Sequence, residues 1–119
     1  MTAALSPRLR SFGKSITGLT ETVVYTCPDR FTAKVTLVFI SNGTNGNVSV
    51  GLQWDDASNG ATPYNLLTNY IINSHNFLKL SEGYIVLNAG DTLIVKTPSG
   101  SVIDAVVSVE EYYDPTQNG

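Results

Sequence analysis

Residues 31–41 show the clearest alternation of apolar and polar side chains in the sequence. One face carries an apolar residue at every second position, namely Phe31, Ala33, Val35, Leu37 and Phe39. The opposite face begins with Thr32, Lys34 and Thr36, and this two-residue period predicts a half-buried β-strand. Val38 and Ile40 then make the second face apolar as well. We therefore expect both faces of that end to be covered, by a second sheet or by another subunit.

Turn-forming residues separate further short strands along the chain. The Asn- and Gly-rich residues 42–47 lie between two alternating segments, which predicts a hairpin. Residues 83–97 predict a second hairpin, because an apolar run ends at Asn88, Gly90 and Asp91 before Leu93 and Val95 resume the alternation. We also expect a first edge strand at 12–19 and a strand at 20–26 with Val23 and Tyr25 on one face. The last strand is expected to point Ile103, Ala105, Val107 and Val109 in one direction.

This pattern gives about eight strands at short spacing and no amphipathic helix, which is typical of small all-β domains. The predicted fold class is all-β, an antiparallel two-sheet β-sandwich of jelly-roll or Greek-key type. A chain of 119 residues forms one domain with its own core. We divide it into an irregular N-terminal arm at 1–11, a β-sandwich domain at 12–114 and a C-terminal tail at 115–119.

Charge is sparse and unevenly distributed. Charged residues make up 14% of the chain, the net charge is −3, and Arg8, Arg10 and Lys14 stand in the first fourteen residues without any acid. Three basic residues supply little phosphate affinity and the remainder is acidic, so we predict no nucleic-acid binding. No apolar run is long enough for a membrane span and the N-terminus has no signal-peptide pattern, so we expect a soluble protein without a membrane partner.

Few residues are candidates for chemistry. Cys27 is the only cysteine and His75 the only histidine, and neither stands in a motif. Asp55 and Asp56 are adjacent, so on a strand they point to opposite faces and do not form one calcium or glycosidase site. We therefore predict no catalytic residue, no metal site and no cofactor. The aromatic residues Trp54, Tyr64, Tyr70, Tyr112 and Tyr113 leave open a stacking platform for sugars.

Four sequence segments resemble small virion proteins of tailed bacteriophages. Residues 22–28 (TVVYTCP) and 32–42 (TAKVTLVFISN) are similar to their opening "Val-Tyr-Thr-x-Pro" strand and the following strand that ends in "Ser-Asn". Residues 84–96 (YIVLNAGDTLIVK) match their "Leu-x-x-Gly-Asp-x-Leu-x-Val" segment, and 106–111 (VVSVEE) resembles their closing strand. The resemblance covers about residues 20–112, and its motifs are structural.

The resemblance implies a non-enzymatic virion protein made in the host cytoplasm. The implied role is capsid decoration or cementing, with the major capsid protein or other virion proteins as partners and a homo-oligomer, such as a trimer, as the assembled form. The residues expected to contact other subunits or the shell are Arg8, Arg10, Phe12, Val38, Ile40, Tyr112 and Tyr113. A tail, neck or fibre subunit of the same fold is the second interpretation, and a carbohydrate-binding module centred on Trp54 is the third.

Overall fold

The computed structural model describes residues 7–17, 21–97 and 102–115. Within them the chain forms nine β-strands and one short 3₁₀ helix at Ala57–Asn59. The strands in chain order are β1 (Arg8–Thr17), β2 (Glu21–Thr26), β3 (Phe31–Asn42), β4 (Val48–Asp56), β5 (Thr62–Ile72), β6 (Phe77–Leu80), β7 (Ile85–Leu87), β8 (Thr92–Lys96) and β9 (Val102–Tyr113).

The strands form two antiparallel sheets that face each other. The first sheet has the order β1-β9-β3-β6, with β7 also paired to β3, and the second has the order β2-β8-β4-β5. Most connections therefore cross from one sheet to the other, which is the winding of a jelly roll. The predicted fold class is confirmed, and no helix in the described residues is long and apolar enough to cross a membrane.

The core lies between the sheets and takes its side chains from both inner faces. Ile103, Ala105, Val107 and Val109 of β9 are all buried, as their alternation predicts. Leu93 and Val95 of β8 face them from the second sheet and are fully buried. Burial of apolar area at roughly 25 cal/mol per Å² is the main force that holds the two sheets together.

A β-bulge in β3 corrects the predicted faces of that strand. Val35 pairs with Val109 and Leu37 with Ser108, so Thr36 is an extra residue, and its hydroxyl donates to the Ser108 carbonyl at 3.2 Å. An extra residue reverses the alternation beyond it. Val38 and Ile40 consequently point into the core, where they are 4% and 0% exposed. They do not lie on the outer face, so the contact role predicted for them does not fit the structure.

Both predicted hairpins are wrong for one reason: the two strands on either side of the turn lie in different sheets. β3 belongs to the first sheet and β4 to the second, so residues 42–47 cross between them. Likewise β7 pairs with β3, whereas β8 pairs with β2 and β4. Of the described connections, the one between β4 and β5 joins paired neighbours, through the 3₁₀ helix and Gly60 in the left-handed conformation.

The structure also revises the N-terminal boundaries. β1 begins at Arg8, so residues 8–11, expected in an irregular arm, are paired with β9. β1 is an edge strand, as predicted, over Arg8–Thr17, and residues 18–20 of the predicted strands 12–19 and 20–26 lie outside the described residues. In β2 a bulge between Val23 and Tyr25 buries Tyr25 and leaves Val23 exposed, so these two residues do not share a face. Residues 1–6, the connection at 98–101 and most of the predicted tail, 116–119, lie outside the described residues.

Candidate functional site

A buried carboxylate links the first strand to the last. Glu111 continues the inward face of β9, and its side chain has no exposed surface. One carboxylate oxygen accepts from Arg8 Nε at 2.5 Å and from Arg10 Nη1 at 3.4 Å. The other accepts from the Tyr25 hydroxyl at 2.5 Å. These bonds join β1, β2 and β9, because Arg8 and Arg10 lie opposite the end of β9 in the antiparallel register.

The electrostatics of this cluster favour a charged Glu111 between two arginines and a neutral Tyr25 and Cys27 beside it. Burial opposes ionisation of Glu111, but hydrogen bonds from Tyr25 and Arg8 and the charges of both arginines outweigh it and lower its pKa. Burial, followed by the bond to Glu111, raises the pKa of Tyr25. Burial also raises the pKa of Cys27 to about 11, so near neutral pH it is a thiol and a poor nucleophile.

Aromatic rings extend the cluster to the surface. The Arg8 guanidinium lies 4.2 Å from the centroid of the Phe31 ring, which meets the Tyr113 ring edge-on at 5.6 Å. Tyr112 and Tyr113, the last residues of β9, are 39% and 45% exposed. We call this surface the β1–β9 corner and define it by Arg8, Arg10, Phe31 and Tyr113, together with Tyr112, which lies at the same strand end but on the opposite face of β9, where its hydroxyl donates to Glu110 at 2.7 Å. Four of the seven predicted contact residues belong to it.

Phe12, a fifth predicted contact residue, is partly buried beside the corner. Its ring packs 5.3 Å from the ring of Tyr25, and the Arg10 guanidinium lies 4.6 Å from its centroid. Phe12 thus supports the position of Arg10 from the inner side of β1. The Phe12 ring packs against the core and remains partly exposed.

Two exposed apolar surfaces were not predicted. Phe39 and Phe77 stack at 5.0 Å on the outer face of the first sheet, where the β3 bulge turns Phe39 outward. At the open side of the sandwich, Leu66, Leu80 and Tyr84 line a cleft of about 210 Å³ between β5 and the β6–β7 edge. The β3 bulge creates the first surface, and the distribution of the strands over two sheets creates the second. The local alternation of apolar and polar residues predicts neither of them.

Trp54 is part of the fold's internal bonding. Its Nε1 donates to Asp91 Oδ2 at 3.1 Å, and its ring packs against Tyr64 at 5.3 Å. Asp91 is fully buried and also accepts from the backbone N–H groups of Ala57 at 2.9 Å and Asn88 at 3.0 Å. Asp91 therefore ties the β4–β5 loop to the β7–β8 crossing. The Trp54 indole already donates its N–H to Asp91 and packs against the Tyr64 ring. Less of the indole surface is therefore free to stack against a sugar.

The remaining polar candidates are separate from one another. Asp55 accepts from Gln53 Nε2 at 2.6 Å, and Asp56 caps the 3₁₀ helix through Ser58. His75 bonds to Asn45 on the surface at 2.8 Å. Among residues 7–17, 21–97 and 102–115, no three His, Cys, Asp or Glu side chains are grouped to hold a metal ion.

The fold places the chain in the jelly-roll class, and comparisons with known proteins add particular structures of that class. No protein-family model matches the sequence, and no curated protein matches it. Among solved structures, a chain from the acid-stable capsid of Helicobacter pylori bacteriophage KHP30 aligns with a TM-score of 0.59 and 12% identity. That alignment covers 98% of this chain and 95% of the phage chain.

Two further similar structures come from different settings. The structure of infectious bursal disease virus strain Gx aligns with a TM-score of 0.54 and 8% identity, over 96% of this chain but 34% of the viral chain. Eiger TNF from S. frugiperda aligns with a TM-score of 0.52 and 14% identity, over 97% of this chain and 100% of that chain. At these identities the similarities establish a fold shared with viral capsid structures. A shared fold does not define a function, which depends on the surface residues.

Proposed function

We propose that this chain is a non-enzymatic structural protein of a bacteriophage virion that binds the outside of the capsid as a decoration or cement protein. The observation that carries the proposal is the whole-length similarity to a chain of a phage capsid structure, at 98% and 95% coverage. The phage alignment covers nearly all of both chains, whereas only 34% of the infectious bursal disease virus chain is covered, so the phage capsid chain is the fuller match to the described fold.

The surface supports a protein-binding role. Tyr112 and Tyr113 are exposed at the β1–β9 corner, and Arg8 and Arg10 are held there by Glu111 and by aromatic rings. Tyrosine and arginine are the residues most enriched at interface hot spots. Because Glu111 fixes the arginines in advance, little side-chain entropy is lost when a partner binds. We propose this corner as the contact with the major capsid protein.

Binding to capsids tests this function. Capsids from the phage that encodes the chain are stripped of it, mixed with the purified chain and sedimented. We expect saturable binding, with many copies of the chain distributed over the surface of each capsid. Replacing Tyr112 and Tyr113 by Ser should weaken binding by about thirtyfold or more, since a single hot-spot truncation costs about 2 kcal/mol. Tyr70→Ser is the matched control, because Tyr70 is equally exposed, at 44%, but lies on the second sheet.

Two results would contradict the decoration role. Failure of the wild-type chain to sediment with capsids would remove the capsid as partner. Saturation at only a few copies per particle would instead support the tail, neck or fibre position.

The role of the N-terminal arm is tested by deleting residues 1–7, because a deletion of 1–11 would also remove Arg8 and Arg10 from Glu111. Unchanged capsid binding by this deletion would show that the arm is not needed.

A further inference from the structure

The outer strands of the two sheets differ in how well they are protected from further pairing. In the second sheet, β2 has six residues and a bulge, and two register shifts interrupt the pairing of β5 with β4. In the first sheet, β6 and β7 have four and three residues. β1 differs from all of these, because its ten residues pair with β9 without any register shift.

A long, regular edge strand is a template for another strand. In an antiparallel pair only part of the backbone N–H and C=O groups of the edge strand face its neighbour, and the others point outward. No described residue outside β9 forms a backbone hydrogen bond with β1. Short lengths and bulges protect the other edges, and β1 has neither, so the protection of its edge comes from the charged side chains Arg8, Arg10 and Lys14, which repel a strand of like charge. Its outward edge is therefore ready to accept an extended segment.

The charges on β1 indicate which segment fits. Arg8, Arg10 and Lys14 are all basic, no residue of β1 is acidic, and Lys14 is exposed without a described ion-pair partner. Two copies paired antiparallel about Phe12 would place Arg10 opposite Lys14, and like charges opposite each other are destabilising. An acidic strand would instead form favourable cross-strand pairs with the same side chains. The charge pattern thus disfavours a second copy and favours an acidic partner.

We infer that β1 binds an extended acidic segment of the capsid shell protein as an additional strand of the first sheet. The inference rests on the proposed capsid function and specifies how the shell is bound. It also accounts for the location of the β1–β9 corner, which lies at one end of the same edge and would contact the residues that flank the added strand. Main-chain hydrogen bonds would supply affinity, and the basic side chains would select the acidic segment.

Hydrogen exchange of the chain, free and bound to stripped capsids, tests the inference. We expect amides of β1 that exchange rapidly in the free chain to slow by about tenfold or more on binding, because new ladder bonds protect them. Amides of β5, an edge of the other sheet, serve as the internal control and should not change. Capsid binding without added protection in β1 would overturn this inference and leave the proposed function standing. Absence of capsid binding would overturn both.

A charge reversal tests the acidic nature of the partner. Lys14→Glu should weaken capsid binding by about tenfold, and binding by the wild-type chain should fall as salt is raised, because exposed charges are screened. Lys79→Glu is the matched control, since Lys79 is exposed on β6 at the opposite edge of the first sheet. Both variants should keep the wild-type unfolding temperature within about two degrees. Equal capsid affinity of Lys14→Glu and the wild-type chain would contradict an acidic partner.

Discussion

At the scale of single residues, Glu111 makes the most consequential contacts in the structure. Its carboxylate joins three strands through Arg8, Arg10 and Tyr25. Glu111→Gln preserves the shape but removes the charge that the arginines face. We expect it to lower the free energy of unfolding by about 1.5–3 kcal/mol, the usual range for bonds to charged groups. Denaturant titration measures this, and Glu110→Gln, at the half-buried neighbour that accepts a bond from Tyr112, should change stability by less than about 0.5 kcal/mol.

The same carboxylate predicts a pH dependence. The pKa of Glu111 is lower in the folded chain than its ordinary value of 4.5. Its contribution to stability is therefore complete above about pH 4.5 and is lost as the pH falls through the folded pKa. We expect the stability difference between the wild-type chain and Glu111→Gln to be constant near neutral pH and to shrink in acid. A difference that persists unchanged in strong acid would show that the charge of Glu111 is not what stabilises the cluster.

At the scale of the strand, the bulge at Thr36 decides which side chains of β3 are buried. Deleting Thr36 removes the extra residue and preserves every other pairing with β9, so Val38 and Ile40 stay in the core. We expect a loss of about 1 kcal/mol, near the value of the one hydrogen bond that Thr36 donates to Ser108. Deleting Phe39 should cost about 2–5 kcal/mol, because at least one buried aliphatic residue must then turn outward. Equal losses in the two deletions, measured by denaturant titration, would contradict this account of the bulge.

Local alternation predicted the strands better than it predicted their partners. The β9 face from Ile103 to Val109 follows its sequence pattern because the strand is regular along that stretch. The segments around residues 42–47 and 83–97 look like hairpins because turn residues separate two strands. Whether two such strands pair or part into different sheets depends on distant strands, here β9 for β3 and β2 for β8. A pattern with a period of two residues contains no information about that choice.

The candidate site was predictable only in part, for a related reason. The sequence singled out four charged or aromatic residues near the chain ends, and the β1–β9 pairing brings them to one end of the first sheet. These residues are Arg8, Arg10, Tyr112 and Tyr113. The acceptor that organises the arginines was missed, because Glu111 is separated by 86 residues from Tyr25 and by 103 from Arg8. The bulges in β2 and β3 were missed because no single residue type marks them. They decide that Val23 is exposed and that Val38 and Ile40 are buried.

At the scale of the whole molecule, the fold limits the function less than the surface does. The same jelly roll aligns with a phage capsid chain and with Eiger TNF at TM-scores of 0.59 and 0.52. What distinguishes this chain is where it places the open edge of β1, its exposed rings and its few charges. Asp91 and Glu111, the buried carboxylates, hold loops and strands together inside the fold. The edge of β1, the corner and the outer apolar surfaces remain available to partners.

The stacked pair Phe39 and Phe77 predicts self-association of the isolated chain. Phe77 is 54% exposed, and Val106 lies opposite Phe39 on β9 in the same outer face. Exposed apolar groups of this kind mark sites of protein contact, and a homo-oligomer would bury them. Light scattering should therefore give a mass above 12.8 kDa in the micromolar range, and three times that value for a trimer.

Phe77→Ser should shift this mass toward the monomer, whereas Tyr70→Ser, at an exposed ring on the second sheet, should leave it unchanged. A wild-type mass of 12.8 kDa throughout would exclude a homo-oligomer at those concentrations. In that case the two phenylalanines would be left for a different partner. Because β1 and the stacked pair occupy different parts of the first sheet, an oligomer formed through Phe77 would still leave the β1 edge open to the shell.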